Sequence, residues 1–564
     1  MDATENGVAV VAVRVNDYRV RPGEPDYREA KLESVKVERI TPAGEVEASL
    51  WVSPWSFSTH PDDMVLMSLP AGHYRIATLR YRIVGAPQAA LIKIDASQDL
   101  GSFDVVPDQV TDLGTLLVQT ADGSLGAYGV TWIDNDLDVM ALVQKIYQSS
   151  GIDGGINGII GWSQRRPGLE ARTVLETAER RPAPNGEALV DSQGRVLIPS
   201  KVGSILVRMP GGEWYVADVS TDEPLNTIIE TEAGFLVGTG SGQILRAHSL
   251  LQEEWDVIAD FGNWADVQYL YAGEASQLVA GVIRRRPYIV DGRGTTNLRH
   301  RARAAYSFSA HEVPLEAISE QSELEWRQMQ AMDIPTGSHL YDTFSSGESF
   351  FFAYWNGIDR RYAYYRYNSR TLQMDFLEPY SLHSDRRLNA FGEHGYQSSR
   401  QWLMHNIRWP IVERYFRLLE FGHADVAEDP PGLGHRQPAL MLENGDLFGF
   451  LFSLSRDGYV DGADEIIEEF RNEEENGEEG ENGEEGERAY PEVLGIYAHR
   501  DPNESRWRPV APRPEGCLSP LQMIESGDEI IQICRFGIHH SMTIGEWEWR
   551  SESASNFLAL EEME

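Results

Sequence analysis

The carboxylates that come closest to a metal-binding spacing lie in Asp457-Gly458-Tyr459-Val460-Asp461-Gly462-Ala463-Asp464-Glu465-Ile466-Ile467-Glu468. Asp457, Asp461, Gly462 and Glu468 fall at positions one, five, six and twelve of a calcium-binding loop, where hard oxygen ligands can wrap one cation. Three departures weigh against such a site. Tyr459 occupies a ligand position, Asp464 stands where a core aliphatic belongs, and helical flanks are missing. An acidic turn is the preferred reading. No metal and no cofactor are expected, and Asp457, Asp461 and Glu468 remain weak candidates.

Other residues capable of chemistry are weaker still. His539 and His540 are adjacent on an expected strand, so their side chains leave on opposite faces and cannot jointly chelate one ion. Ordinary surface and interface histidines are expected. Arg284-Arg285-Arg286 and His300-Arg301-Ala302-Arg303 are basic clusters that could hold an anion, but pairing with acidic neighbours is the simpler role. The run Phe350-Phe351-Phe352-Ala353-Tyr354-Trp355 and the run Tyr362 to Tyr367 read as core. A strand-end member such as Tyr354 or Trp355 could offer a platform to a sugar or peptide. Cys517 and Cys534 flank a turn at Ser526-Gly527-Asp528. They read as two buried thiols, with one disulfide as the alternative. No catalytic residue is assigned. The chain has no P-loop, no strand–helix G-x-G-x-x-G, no H-E-x-x-H and no nucleophile elbow.

Composition narrows the field further. The 564 residues carry 49 Lys+Arg against 88 Asp+Glu, a net charge of −39 that repels phosphate and disfavours nucleic-acid binding. The stretch 464–488 holds 13 acids and 2 arginines, so part of the excess is one low-complexity loop, expected to be disordered. Only 5 of the basic residues are Lys, which points to a high-GC bacterial source. No segment approaches the roughly 18 apolar residues of a membrane span. The first residues lack a signal-peptide pattern. The expected location is the periplasm or cell surface if a leader has been removed, and otherwise the cytoplasm.

The elements that would position these residues are strands. Residues 1–118 alternate short apolar runs with turns at Pro22-Gly23, Pro42-Ala43-Gly44 and Pro70-Ala71-Gly72, which predicts an antiparallel β-sandwich. Leu69-Pro70-Ala71-Gly72-His73-Tyr74, Phe103-Asp104-Val105-Val106-Pro107 and Thr111-Asp112-Leu113-Gly114 resemble the Ig-like or transthyretin-like sandwiches of bacterial cell-envelope proteins. In those domains the first motif forms a hairpin. The resemblance implies a fold and no catalytic residue. Asp108 stands where that family often has Gly. Residues 119–187 read as a connector with a helix over Leu137–Tyr147, and 162–187 as a source for a ring-closing strand.

From residue 188 to 564 a unit recurs: an apolar run, a polar turn, then a Trp opening the next strand. Copies end at Trp214, Trp255, Trp507 and Trp547, with Phe376 in a variant. Four strands per unit predict a β-propeller, since one sheet cannot bury both faces unless blades stack around a channel. Seven blades are expected, at about 188–222, 224–262, 265–305, 339–378, 385–420, 436–512 and 516–553, with a helical insertion at 306–338. The Trp turns resemble the degenerate Asp-boxes of sialidase-like and WD40-like propellers, which are structural. That resemblance implies binding of a protein or glycan on one rim. The expected function is therefore a non-enzymatic binding or scaffold protein acting through propeller loops. The alternative is a propeller glycoside hydrolase or lyase with paired carboxylates at the channel mouth.

Overall fold

The structure is a computed structural model. It describes residues 6–16, 30–53, 63–83, 91–96, 100–120, 128–133, 143, 158–168, 170–183, 186–262, 264–273, 277–289, 302–320, 324–335, 338–346, 348–356, 361–380, 384–391, 394–403, 411–420, 423–425, 439–442, 444, 446–452, 495–500, 508–512, 514, 517, 520–534, 539–552 and 558–559.

The N-terminal strands form two sheets. The first runs 159–160, 110–120, Asn6–Asn16, 63–70, with 128–133 also paired to 110–120. The second runs 162–165, 101–105, 72–83, 30–40, 46–52, with 91–95 also paired to 72–83. Alternation explains the packing. Val35, Val37, Tyr74, Ile76 and Phe103 from the second sheet meet Ala9, Val11, Val65, Met67 and Leu116 from the first in one core. The intervening Lys36 and Arg75 stay on the outer face and pair with Glu38. Leu69-Pro70-Ala71-Gly72 is not a hairpin within one sheet. It carries the chain from the first sheet to the second, and the Tyr74 hydroxyl donates to the Pro70 carbonyl at 2.8 Å to fix that corner.

The connector differs from expectation. Strand Trp162–Arg165 belongs to the second N-terminal sheet, not to the ring. Trp162 packs against Trp132 with ring centroids 4.3 Å apart and donates to the Leu113 carbonyl. The helix expected at 137–147 lies outside the described residues apart from Val143. Val143 itself is helical, and a helix also occurs at Ala171–Glu179. Val174 and Ala178 on one face of it pack with Leu117 and Ile133 of the first sheet and with Val202 of the following region. This small cluster joins the two halves of the chain.

Seven sheets of four consecutive strands follow, and their first strands approach one another around the ring. Blade one spans 189–218, blade two 225–260, blade three 265–333, blade four 338–380, blade five 384–425, blade six 439–512 and blade seven 520–552. Apolar clusters fill the seams. Val207 and Ile205 of blade one meet Leu225 and Val237 of blade two. Phe308 of blade three meets Phe350 and Phe352 of blade four. The repeated Trp has a consistent place. Trp255 joins the cluster between blades one and two, Trp547 packs against Phe448 of blade six, and Trp214 packs with Ile531 and Ile533 of blade seven. Each faces the preceding blade.

Two expectations are corrected. The segment 306–338 is not a helical insertion. Ala302–Pro314 and Arg327–Asp333 are the third and fourth strands of blade three, and only Leu315–Glu320 between them is helical. Tyr306, Phe308 and Ala310 alternate with Ser309, His311 and Val313, and all are buried because both faces of a blade are covered. Ring closure does not come from 162–187. Leu558–Ala559 pairs in parallel with Tyr215 and Val216 on the outer strand of blade one. The acidic turn with the candidate carboxylates Asp457, Asp461 and Glu468, and the acidic 464–488 stretch, lie outside the described residues.

Candidate functional site

Three places in the ring concentrate polar side chains. The first is the seam where the last blade meets the first. Arg208 ends the third strand of blade one and is buried. Its Nε and Nη2 donate to the two Glu552 oxygens at 2.7 and 2.6 Å, and Nη2 also reaches Glu529 at 2.8 Å. The Trp214 indole N–H donates to the same Glu552 carboxylate at 2.8 Å. Burial raises the Glu552 carboxyl pKa, but hydrogen bonds from Arg208, Ser541 and Trp214 outweigh it and hold the group below its usual range. The Arg208 guanidinium, the Trp214 indole N–H and the Glu552 carboxylate are thus engaged in ring closure.

His539 belongs to this seam, and its neighbour His540 to the opposite face of the same strand. Both are buried, at 0% and 1% exposure, rather than lying on a surface. His539 stacks on Trp214 at 4.5 Å, while His540 meets Trp549 on the other face of the blade. The opposite-face geometry read from the sequence therefore holds, but both faces are interfaces. Burial pushes His539 down to about 3 and His540 to about 4, so both are neutral. Cys517 and Cys534 form a disulfide beside them, with Cα atoms 5.5 Å apart.

The second place is a recess of about 580 Å³ between the outer strands of blades two and three. Phe261 and Trp326 form an aromatic corner, with ring centroids 5.6 Å apart, and Val257 and Leu324 extend the apolar wall. Arg284 and His311 supply the polar end. Arg284 Nη1 donates to Ser309 Oγ at 2.9 Å, and His311 Nε2 lies 3.0 Å from the same hydroxyl. Burial first, and then the Arg284 charge, lower His311 to about 4. Of the basic cluster, Arg284 lines this recess. Arg285 leaves on the other face and pairs with Asp266, which is buried. Arg286 is on the same strand, Gln277–Ile289.

The third place is the interior of the ring. Glu187 precedes the first strand of blade one, and its carboxylate accepts a hydrogen bond from Ser345 on the first strand of blade four. It therefore spans the channel. The Glu187 backbone N–H donates to the Asn226 carbonyl at 3.2 Å, and Thr343 donates to Gln268 at 3.0 Å nearby in the same inner layer. Burial alone raises the Glu187 carboxyl to about 7. No sequence pattern signals Glu187, because its role depends on which strands the ring brings together.

Of the aromatic candidates, Tyr354 is buried in the seam between blades three and four. Trp355 lies on strand Ser349–Asn356. Asp457, Asp461 and Glu468 lie outside the described residues. Among the described residues no cluster of three or more His, Cys, Asp or Glu is arranged to hold a metal. No helix among them is long and apolar enough to cross a membrane.

No protein-family model matches the chain, and neither does any curated protein. Similar solved structures include the WD40 β-propeller domain of Doa1, at 11% identity and a TM-score of 0.35, covering 65% of this chain and 96% of that one. The tricorn protease is similar at 10% identity and a TM-score of 0.38, covering 95% of this chain and 53% of that one. The β-propeller domain of the Trilobed protease from Pyrococcus furiosus is similar at 7% identity and a TM-score of 0.32, covering 65% and 94%. At these scores the likenesses say nothing about activity.

Proposed function

We propose that this is a non-enzymatic binding protein whose propeller recognises a protein or glycan partner. The observation that carries the reading is the recess between blades two and three. Its Phe261–Trp326 corner, apolar wall and Arg284–His311 end combine a large contact face with a few fixed polar groups, the composition of a recognition pocket. The outer strands hold it on a rigid frame, and loops are free to vary around it. The N-terminal sheets act as an anchor or second module, joined to the ring through the 171–179 helix.

The alternative, a glycoside hydrolase or lyase at the channel mouth, needs two carboxylates free to act on one bond. Among the described residues of the inner layer, the buried Asp266 is engaged by Arg285 rather than free to act on a substrate. That engagement favours binding over hydrolysis.

The test compares wild type with Trp326→Ala on a glycan array and in cross-linked partner capture. The reading expects a defined ligand retained by wild type and lost by the variant. A ligand held equally by both would overturn it, as would turnover of chromogenic glycosides by the wild type.

A further inference from the structure

We propose that the chain dimerises through the strand Val46–Val52, which pairs antiparallel with the same strand of a second copy about a two-fold axis at Leu50. This strand is the end of the second N-terminal sheet, and among the described residues only 30–40 pairs with it. The backbone groups on its other side are open to a further strand. Six of its seven residues are exposed. Val46, Leu50 and Trp51, at 48%, 46% and 41%, are three of the seven large apolar side chains exposed among the described residues. Apolar side chains gathered on an open edge are the reverse of the Lys, Pro or covering element with which sheets guard their edges.

The register explains the exposure. Leu50 lies opposite Val37 and Val52 opposite Val35, so both leave on the core side of the sheet. The core reaches Val52, which packs partly against it, but takes in no residue of 46–51. The core side of this strand is therefore unfinished. Trp51 lies opposite Lys36 on the outer face. The Arg80 guanidinium sits 4.1 Å from its ring centroid.

Charge and size single out a second copy as the occupant. Two chains of −39 repel over most of their surface. Residues 48–52 carry no charge, and the strand's one ionisable group, Glu47, lies beyond them and pairs with Arg39 at 3.4 Å. The segment Ala48-Ser49-Leu50-Trp51-Val52 also complements itself. With the axis at Leu50, the two Leu50 side chains meet on the core side. Ala48 meets Val52 of the second copy, and Ser49 meets Trp51 of the second copy, so a small side chain faces a larger one on either side of the axis. The two Trp51 rings stand diagonally, within reach of each other. The pairing consumes the same edge in both copies, so it closes at two.

Five residue pairs make a small interface, of the class that associates weakly and reversibly. Salt screens the repulsion between the acidic chains, so raising it strengthens the dimer. The edge lies on the N-terminal sheets and uses no residue of the recess between blades two and three, so either reading can fail without the other.

The experiment is sedimentation equilibrium of the full chain over about 1–200 μM. A reversible monomer–dimer equilibrium is expected, with a dissociation constant on the order of tens of micromolar. It should tighten as salt rises from about 20 to about 300 mM. Leu50→Lys sets two like charges opposite each other at the axis and should weaken the dimer at least about tenfold. The side chain is half-exposed, so the variant should keep the wild-type circular dichroism and melting temperature. Val257→Lys, an equally exposed position on blade two, should leave the dimer unchanged. Under mild oxidation Leu50→Cys should give a covalent dimer. A mixture of Ser49→Cys and Trp51→Cys should do so faster than Ser49→Cys alone. A wild type that stays monomeric throughout leaves the edge to a strand of some other protein and overturns the proposal. A dimer that Leu50→Lys leaves intact, or that Leu50→Cys fails to cross-link, overturns it as well.

Discussion

Arg208 and Glu552 meet in a two-pronged ion pair across 344 residues of sequence, at 2.6 and 2.7 Å, where the last blade docks on the first. Their side chains are 3% and 11% exposed. Geometry of this kind fixes register more than it adds net stability, because desolvation offsets much of the attraction. Removing one partner is different, since the other stays buried and uncompensated. Glu552→Ala should destabilise the propeller by about 3–5 kcal/mol. The simultaneous change Arg208→Met with Glu552→Leu should cost much less. Denaturant midpoints of the single and double variants check this. Equal losses would show that the pair acts only by packing.

The same seam predicts a pH dependence. His539 titrates at about 3 when folded and near 6.5 when unfolded, because burial against Trp214 disfavours the cation. The unfolded chain therefore binds the proton more readily. Stability is complete above pH 6.5 and falls as the pH drops toward 3. Glu552 acts in the same direction at lower pH. Its carboxyl is held below the usual range, so its contribution is lost as pH falls below about 4.5. His539→Phe keeps the stacking surface and removes the titration. Melting temperatures measured from pH 4 to pH 8 should fall less steeply in that variant than in wild type.

Much of this architecture is legible in the chain. The Trp-turn repeat marks blade after blade because each copy must bury an indole against the blade before it, as Trp214, Trp255 and Trp547 do. Blade three misleads because its strands are long. Leu315, Ile318 and Leu324 suggest a helical period, but the first two sit on a single short helix between strands of 13 and 7 residues. Ring closure is invisible in the sequence, since Leu558–Ala559 is a two-residue strand without turn or aromatic signal. The histidine pair is read correctly as opposite-facing, and of the surface and interface positions expected for it the structure shows interfaces, because a propeller blade has no solvent face at its middle. Arg284 emerges from its basic run only as one wall of a recess, whose other wall, Phe261 and Trp326, comes from distant turns and strands.

The disulfide supplies a third prediction. Cys517 and Cys534 are 17 residues apart, and the bridge ties the approach to blade seven to its second strand. A closed loop of that length stabilises by roughly 3 kcal/mol in the chain-entropy account. Both sulfurs are buried beside Gln532, so reduction in the folded state should be slow. Cys517→Ala with Cys534→Ala should lower the melting temperature of blade seven and leave the N-terminal sheets unchanged. Differential scanning calorimetry with proteolytic mapping of the first segment to open resolves the two.

Glu187 predicts a pH response of the opposite sign to the seam. Its carboxyl is raised to about 7 in the ring against 4.5 in the unfolded chain, and burial alone is the cause. The folded state therefore holds the proton more tightly. Its stability is fully present below about pH 4.5 and is lost as the pH rises through 7. The difference amounts to on the order of 3 kcal/mol above pH 7. Glu187→Gln keeps an oxygen to accept from Ser345 and removes the charge. It should match wild type near pH 5 and exceed it at pH 8. Denaturant unfolding of both proteins at the two pH values decides the matter. A variant no more stable than wild type at pH 8 would mean that the carboxylate finds compensation in the channel. A gain at both pH values would mean that the substitution acts through packing.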